Sequence, residues 1–279
     1  MKYANPKPPE GINTGGYRPG REFFVLGASL AVIAGLALAV VFQFGEWVAP
    51  YVPFSWEKRL EGSFVENFQN DKAPNPSVEA ALQRLADRLS GAMDLGDDMR
   101  VTVHFVDDKT VNALATIGGN IFVYRGLLAR LENENALAMV LAHEIAHVKH
   151  RDVLAALGSG VLVSVASSFV LGDAGRVGDL LGHETVFTML HFSRAKEKRA
   201  DLDAMRAVVQ EYGHGGGAVD LFKVFNVMER EAGVKRKTDL FTSHPLTPNR
   251  LKALRVLAES QGWLMDGPRR PMPKDLKLN

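Results

Sequence analysis

The sequence LAHEIAHVKHRD, residues Leu141–Asp152, combines an apolar helical pattern with three histidines and a glutamate. On an α-helix, residues four apart lie about 40° apart around the axis and roughly 6 Å apart along it. His143 and His147 can therefore reach one metal ion together, with Glu144 beside them as a base. The same residues also fit a buried helix that carries imidazoles, so this stretch alone leaves both interpretations open.

The third histidine, His150, does not fit the same ion. It follows His143 by seven residues, which displaces it by about 10 Å along a helix. Because zinc bonds are about 2 Å long, we expect His150 outside the metal site.

The composition limits the chemistry that the chain can use. With 46% hydrophobic and 23% charged residues, the 279 residues are typical of a globular protein. A net charge of +1 gives no electrostatic case for nucleic acid as a partner. Because there is no cysteine, thiolate catalysis is excluded, and a metal would need histidine and carboxylate ligands.

An uncharged apolar segment, Phe23–Phe42, predicts one transmembrane helix within residues 23–44. A cleaved signal peptide is the alternative, but the polar arm before the segment is long and no clear cleavage site follows. Basic residues precede the segment, so the positive-inside rule predicts a cytoplasmic N-terminus. We expect a single-pass protein that contacts membrane lipid through this helix.

The remaining pattern predicts a mainly α fold with a small β-sheet (α+β). A helix starts behind a Ser77 N-cap, and strand alternation follows in RVTVHFVDD and in TVNALATIGGNIFVYRG, which should form a hairpin around Gly118–Asn120. Helical spacing then runs over Glu132–His150 and again over SRAKEKRADLDAMRAVVQEYG, which ends at Gly213. GGGAVDLFKVFNVMEREAG predicts a further helix.

A catalytic zinc needs a third protein ligand, and SRAKEKRAD offers one. Glu197 could complete a His-His-Glu site, and Asp201, one helical turn later, could accept a hydrogen bond from a ligating histidine. Taken alone, Glu197 is better explained as one charge in a solvated run with its basic neighbours. In TSHPLTPNR, His244 and Arg250 lie in a predicted loop before a helix and could stabilise an oxyanion.

This ordered set of motifs resembles the membrane-associated zinc metallopeptidases that include the CAAX prenyl proteases, the heat-shock protease HtpX and the mitochondrial Oma-type proteases. The resemblance covers Val111 to about Leu257, through NALATIGGNIFVYRGLL, LAHEIAHVKHRD, FSRAKEKRADLDA and SHPLTPNRL. It implies a zincin-like domain with one Zn²⁺ per chain, bound by His143, His147 and Glu197.

The resemblance also implies roles for the other motif residues. Asp201 would support a ligand, His244 and Arg250 would act on the substrate carbonyl, and Glu144 would be the catalytic base. The edge strand with Asn112, Ala113 and Leu114 would bind an extended peptide. The chain lacks the several membrane helices of the prenyl proteases and HtpX, and its single anchor is closer to the Oma-like and periplasmic members.

Together these features predict a zinc endopeptidase of the cell inner membrane, with its catalytic domain on the periplasmic side. The family resemblance implies unfolded or misassembled envelope proteins as its substrates. The alternative is a non-proteolytic membrane adaptor with a structural zinc site and a peptide-binding edge strand. A homo-oligomer stays open. The predicted segments are a flexible cytoplasmic arm (1–22), the anchor (23–44), a juxtamembrane linker (45–76), the peptidase domain (77–265) and a solvated tail (266–279).

An insert at 153–192 interrupts the peptidase domain. Its apolar part, Val153–Gly172, could be buried, interfacial or re-entrant, and the polar stretch that follows argues against a second crossing. His183 in this insert could fill the open zinc position of a self-inhibited enzyme, although an ordinary side chain is the simpler interpretation.

Overall fold

The structure is a computed structural model that describes residues 19–69, 75–156, 192–220, 244 and 248–277. The chain divides into two compact units, Met1–Gln43 and Phe44–Asn279. The described residues are mainly helical and include a small mixed β-sheet, as the sequence predicts. Most of the insert, including His183, and most of the helix predicted after Gly215 lie outside the described residues.

The N-terminal apolar segment lies in a long helix, α1 (Pro19–Val48). Its described apolar side chains are exposed, with Phe23 at 79%, Leu26 at 70% and Leu36 at 62%. Several of its side chains after Leu30 lie outside the description. Within the described part of the chain, no helix combines the length and apolar character needed to cross a membrane.

The segment predicted as a juxtamembrane linker contains a 3₁₀ turn (Ala49–Tyr51) and helix α2 (Phe54–Gln69). Phe54 and Glu57 are buried, and Glu57 Oε1 lies 2.9 Å from Nη2 of Arg151. Oε2 of the same carboxylate accepts a hydrogen bond from the backbone N–H of Gly118 at 2.9 Å. The linker prediction was wrong here. The apolar and acidic side chains that dock α2 are separated in sequence by exposed polar ones, so the sequence shows no clear apolar pattern.

Helix α3 (Pro76–Gly91) begins two residues earlier than predicted. The N-cap is Asn75, whose side chain accepts from the N–H of Val78, and Pro76 occupies the first turn. Ser77 instead donates its hydroxyl to Asn75 at 2.9 Å. The apolar face of α3 is buried at Val78, Ala81, Leu82, Leu85, Ala86 and Leu89.

Three strands form the sheet, in the order β1 (Thr102–Val106), β3 (Asn120–Tyr124) and β2 (Ala113–Ala115). β2 pairs antiparallel with β3, which confirms the predicted hairpin, and β1 pairs parallel with β3. Gly118 and Gly119 connect β2 to β3 with φ of 73° and 77°, a conformation that glycine adopts without steric cost. β2 is therefore an edge strand of the described sheet.

Four more helices follow the sheet in the described residues: α4 (Arg125–Leu128), α5 (Glu134–Lys149), α6 (Arg194–Tyr212) and α7 (Pro248–Gln261). α5 is capped by Asn133 and is buried from Glu134 to Val148. It packs against α6, which Ser193 caps and Gly213 ends, as predicted. This pairing of a fully buried helix with α6 positions the metal-binding side chains.

The C-terminal residues pack against the domain instead of forming a solvated tail. Met272 is 5% exposed and Leu276, in a 3₁₀ turn at Lys274–Leu276, is 1% exposed. Pro271 pairs with Asn133 in an isolated β-bridge before α5. Because Met272 and Leu276 are surrounded by charged residues and prolines in the sequence, the sequence does not indicate that they are buried.

Candidate metal centre

Helix α5 brings His143 and His147 together on its buried face. Their Nε2 atoms are 3.2 Å apart, and both residues are at most 7% exposed. The spacing of four residues places the two rings one turn apart, as predicted for two ligands of one ion.

Helix α6 brings Glu197 to the same point. Its carboxylate oxygens lie 3.5 Å from Nε2 of His143 and 3.5 Å from Nε2 of His147. Glu197 is 3% exposed although charged residues flank it on both sides. The solvated-run interpretation of this glutamate therefore does not hold.

His244 supplies a fourth donor to the cluster. Its Nδ1 lies 2.8 Å from Glu197 Oε1 and 3.3 Å from His143 Nε2. One atom from each of the four residues lies within 4.8 Å of the others. A tetrahedral zinc site with bonds near 2.0 Å has donors about 3.3 Å apart, so these buried side chains have both the spacing and the chemistry of a zinc-binding group.

Two carboxylates hold the histidine rings from behind. Nδ1 of His143 lies 3.1 Å from Asp201 Oδ1, the contact that the sequence suggests for Asp201. Nδ1 of His147 lies 3.0 Å from Asp152 Oδ2, and Arg199 donates to Oδ1 of Asp152 at 2.7 Å. A carboxylate on the distal nitrogen fixes the ring and directs Nε2 towards a metal.

Arg250 lies in the first turn of α7 and not in the predicted loop before it. Its Nε and Nη2 donate to the two oxygens of Asp201, each at 2.7 Å. Its Nη1 lies 2.7 Å from Glu197 Oε2. The guanidinium thus joins the two carboxylates of α6 in a region of low exposure.

Glu144 connects the cluster to the sheet. Its Oε2 accepts a hydrogen bond from the backbone N–H of Ala115, at 2.9 Å. Its Oε1 lies 3.6 Å from Nε2 of His244. One carboxylate therefore contacts both the edge strand and a donor of the cluster.

The edge strand directs alternate backbone groups away from β3. Tyr124 donates to the carbonyl of Asn112, and Thr116 donates to that of Asn120. By the alternation of an antiparallel ladder, Ala113 and Ala115 direct their N–H and C=O groups away from β3, and both residues are buried. Leu114 has its backbone groups on the β3 side, whereas the buried side-chain amide of Asn112 has no hydrogen-bond partner among the described residues.

The sequence profile described as peptidase family M48 matches residues 73–258, which include every residue of the cluster. The chain belongs to peptidase family M48. The match begins before α3 and ends within α7. It confirms the resemblance that the sequence motifs carry.

Curated relatives of this M48 chain are named as proteases. A beta-barrel assembly-enhancing protease of Yersinia pestis is 28% identical over 212 residues, which are 70% of this chain and 42% of that protein. The mitochondrial metalloendopeptidase OMA1 of Schizosaccharomyces pombe is 28% identical over 162 residues, 56% of this chain and 46% of that protein. This chain therefore spans less than half the length of both relatives.

A third relative matches over nearly its whole length. It is a protease HtpX homolog of Thermococcus sibiricus, 26% identical over 286 residues, 86% of this chain and 91% of that protein. The M48 motifs here thus occur in relatives of different length.

The electrostatics of the M48 site depend on burial and on coupling between the ligands. Burial alone lowers the pKa of His143, but hydrogen bonds to Asp201 and Glu197 raise it to about 10. Burial raises the pKa of Glu197, yet His244 and His143 hold it well below its usual range. Without a metal the histidines and carboxylates share protons, which a bound cation would displace.

Burial also raises the pKa of the Glu144 carboxyl above its usual value, although His244 and His143 oppose the shift. A carboxylate with a raised pKa is a stronger base near neutral pH. The pKa of His244 is lowered, because burial lowers it more than Glu144 and Glu197 raise it. The neutral imidazole that a metal needs is therefore favoured at His244.

Sequence reasoning missed Asp152 and the position of His244 among the metal donors. Asp152 closes the quoted motif, but its role depends on Arg151, whose φ of 58° turns the chain after α5. A carboxylate directly after the end of a metal-binding helix was the available signal. His150, as expected, lies apart from the cluster and contacts Asp203 Oδ2 at 2.8 Å.

Proposed function

We propose that this chain is a zinc-dependent endopeptidase that cleaves extended polypeptides bound along β2. The observation that carries the proposal is the position of Glu144, which contacts the edge strand at Ala115 and faces the donor cluster at His244. A peptide added to the side of β2 that faces away from β3 would lie beside this base. The M48 membership and the names of the relatives, which are proteases, support the same reaction.

His143, His147 and Glu197 would hold one Zn²⁺, because two imidazoles and a carboxylate without any cysteine suit zinc. When bound, zinc acts as a Lewis acid that makes water a nucleophile near neutral pH and polarises the scissile carbonyl. Asp201 and Asp152 keep the two rings in the ligating orientation. Arg250 balances the buried charge of Glu197 and Asp201.

Glu144 would take a proton from the attacking water and later return it to the leaving amine. On the substrate side, Ala113 would pair with the peptide backbone, and the Asn112 amide, which lacks a partner in the described residues, would bind it as well. Leu114 would shape the strand through its side chain, since its backbone faces β3. His244 and Arg250 would stabilise the negative charge that develops on the carbonyl oxygen.

For location, we propose an inner-membrane anchor within residues 23–44, a cytoplasmic N-terminus and a periplasmic catalytic domain. The support is the exposed apolar side chains of α1, the exposed Trp47 near its end, the exposed Tyr51 after it, and the basic residues before the apolar segment. Residues 1–22 would then be the cytoplasmic arm and 77–265 the peptidase domain. A topology reporter fused after Asn279 tests this orientation.

Unfolded or misassembled envelope proteins are the proposed substrates. The support is the name of the Yersinia pestis relative, a beta-barrel assembly-enhancing protease. An edge strand suits such substrates because it binds extended backbone with little demand on sequence.

The decisive experiment compares cleavage of an unfolded model protein by the detergent-purified full-length chain and its Glu144→Gln variant, at equal bound zinc. We expect cleavage by the wild type and a loss of at least roughly 100-fold in the variant. Equal cleavage by both proteins would refute the role of Glu144.

The alternative function, a non-proteolytic adaptor with structural zinc, has one observation in its favour. His244 Nδ1 completes a four-donor set, and structural zinc sites are closed whereas catalytic ones keep an open position. If neither protein cleaves although both hold zinc and bind the unfolded protein, the chain is either this adaptor or a self-inhibited protease, and the variant His183→Ala distinguishes the two.

A further inference from the structure

A cavity of about 370 Å³ lies beside the metal-binding cluster, between α6 and α7. Glu197, Asp201 and Arg250 form part of its wall, so it adjoins the proposed zinc site. The size is within the range of sites that bind small molecules or single side chains of a substrate.

The remaining wall is mostly apolar, with two cations and the side chain of Asn249. Phe192, Leu202 and Leu254 provide the apolar part, and Arg194 and Lys198 provide the positive charge. Both basic residues are exposed and are four residues apart on α6, so they lie on the same helical face. The mouth of this cavity is therefore positively charged.

These two cations oppose the local rules of helix stability. They lie in the first two turns of α6, where the helix dipole disfavours positive charge. Like charges four residues apart also repel each other. A sequence that breaks local rules without a compensating contact points to a functional demand.

The neighbouring charges do not supply that compensation. Arg199, in the same two turns, pairs with Asp152 at 2.7 Å, whereas no ion pair of Arg194 or Lys198 occurs within the described part of the chain. Arg250 already contacts both acidic groups of the wall, Glu197 and Asp201. On the cavity wall three cations face two carboxylates, and a bound divalent metal adds further positive charge.

We propose that Arg194 and Lys198 form an acidic-residue subsite, which binds an aspartate or glutamate side chain of the polypeptide substrate. The two cations would donate charge-assisted hydrogen bonds to the carboxylate, while Phe192 and Leu202 contact its methylene groups. The subsite rests on the proposed function because it recognises the substrate of that same site. The edge strand would bind the backbone of any extended peptide, and the subsite would add a preference for acidic side chains.

The test measures peptide binding, so that it does not depend on turnover. Short fluorescein-labelled peptides of alanine, serine and leucine carry a central run of glutamate or, in the matched probe, of glutamine. Fluorescence anisotropy gives the Kd of each probe for the zinc-loaded, full-length Glu144→Gln protein. We expect the glutamate probe to bind roughly 3- to 10-fold more tightly, since exposed ion pairs are weak individually. Added salt should reduce the difference.

The variant Arg194→Glu/Lys198→Glu should abolish or reverse this preference. The matched control is Lys252→Glu/Arg255→Glu, which makes the same charge change on exposed residues of α7 that do not line the cavity. The control should keep the preference. Equal binding of the two probes, no binding of either, or an equal effect of both double variants would overturn the subsite.

This outcome is separate from that of the cleavage experiment. If the unfolded protein is cleaved but the probes bind equally, the endopeptidase stands and the subsite is wrong. If the probes bind selectively but nothing is cleaved, the subsite stands as a peptide-binding site and hydrolysis is wrong.

Discussion

The Asp152 carboxylate holds His147 from behind, with Oδ2 lying 3.0 Å from Nδ1 of the imidazole. Both side chains are at most 1% exposed. Because the carboxylate can only accept a hydrogen bond, the imidazole carries its proton on Nδ1. Its Nε2 then has a free lone pair that faces the other side chains of the metal-binding cluster. Asp152 thus sets the tautomer of a proposed ligand.

Replacing Asp152 should weaken metal binding. In Asp152→Asn the amide keeps the shape but loses the charge, and we expect the zinc affinity to fall by about 10- to 100-fold. Competition with a chromophoric chelator measures the Kd. Asp203→Asn is the control, since Asp203 makes the same type of contact to His150, outside the cluster. Equal affinities in wild type and Asp152→Asn would contradict the orienting role.

Much of the fold follows from periodicity in the sequence. α3, α5, α6 and the hairpin carry regular apolar spacing and turn residues, and each occurs close to its predicted position. The N-cap of α3 is Asn75 and not the predicted Ser77, because Asn75 is followed by a proline in the first helical position. Both residues are of types that cap helices. Helix α2 was not predicted because its docking depends on Glu57 and Arg151, which are 94 positions apart in sequence and whose pairing no local pattern indicates.

The site was predictable where a motif fixes geometry. His143 and His147 follow from helical spacing, and the resemblance to known metallopeptidases identified Glu197 as their partner. The packing of α5 against α6 brings Glu197 to them. The contacts of Arg250 with two carboxylates could not be predicted, because they depend on the tertiary placement of α7.

Arg250 should be important for stability before any metal binds. Its loss leaves the carboxylates of Glu197 and Asp201 buried without their shared cation. We expect Arg250→Met to lower the free energy of unfolding of the zinc-free protein by about 3 to 5 kcal/mol. Zinc should reduce this loss, because the metal supplies positive charge at Glu197.

Urea denaturation with and without zinc measures both effects. Arg255→Met is the control, since Arg255 lies exposed on the same helix. We expect that control to change the unfolding free energy by less than about 0.5 kcal/mol. An equally small effect of Arg250→Met would show that the two carboxylates do not need the guanidinium.

His244 should stay off the metal in the zinc-loaded protein, as its proposed role at the substrate carbonyl requires. X-ray absorption at the zinc edge should therefore report two imidazoles in both the wild type and His244→Ala. Three imidazoles in the wild type and two in the variant would show that His244 is a fourth ligand, which its Nδ1 is close enough to the other donors to be. That result would favour the adaptor with a closed zinc site.

His150 should make stability depend on pH independently of the cluster. Burial, and then the charge of Arg199, lower its pKa below the ordinary 6.5, although Asp203 opposes the shift. As pH falls below about 6.5, the unfolded chain therefore binds a proton at His150 before the folded chain does. The free energy of unfolding must decrease through that window and level off below the folded pKa.

The variant His150→Gln removes this contribution and leaves the residues of the cluster unchanged. The difference in unfolding free energy, wild type minus variant, should rise with pH up to about 6.5 and then stay constant. Its slope cannot exceed about 1.4 kcal/mol per pH unit, the limit for one proton. Denaturation of zinc-saturated protein from about pH 5 to about pH 8 measures it. A difference that falls with rising pH would mean that Asp203 dominates and holds His150 protonated.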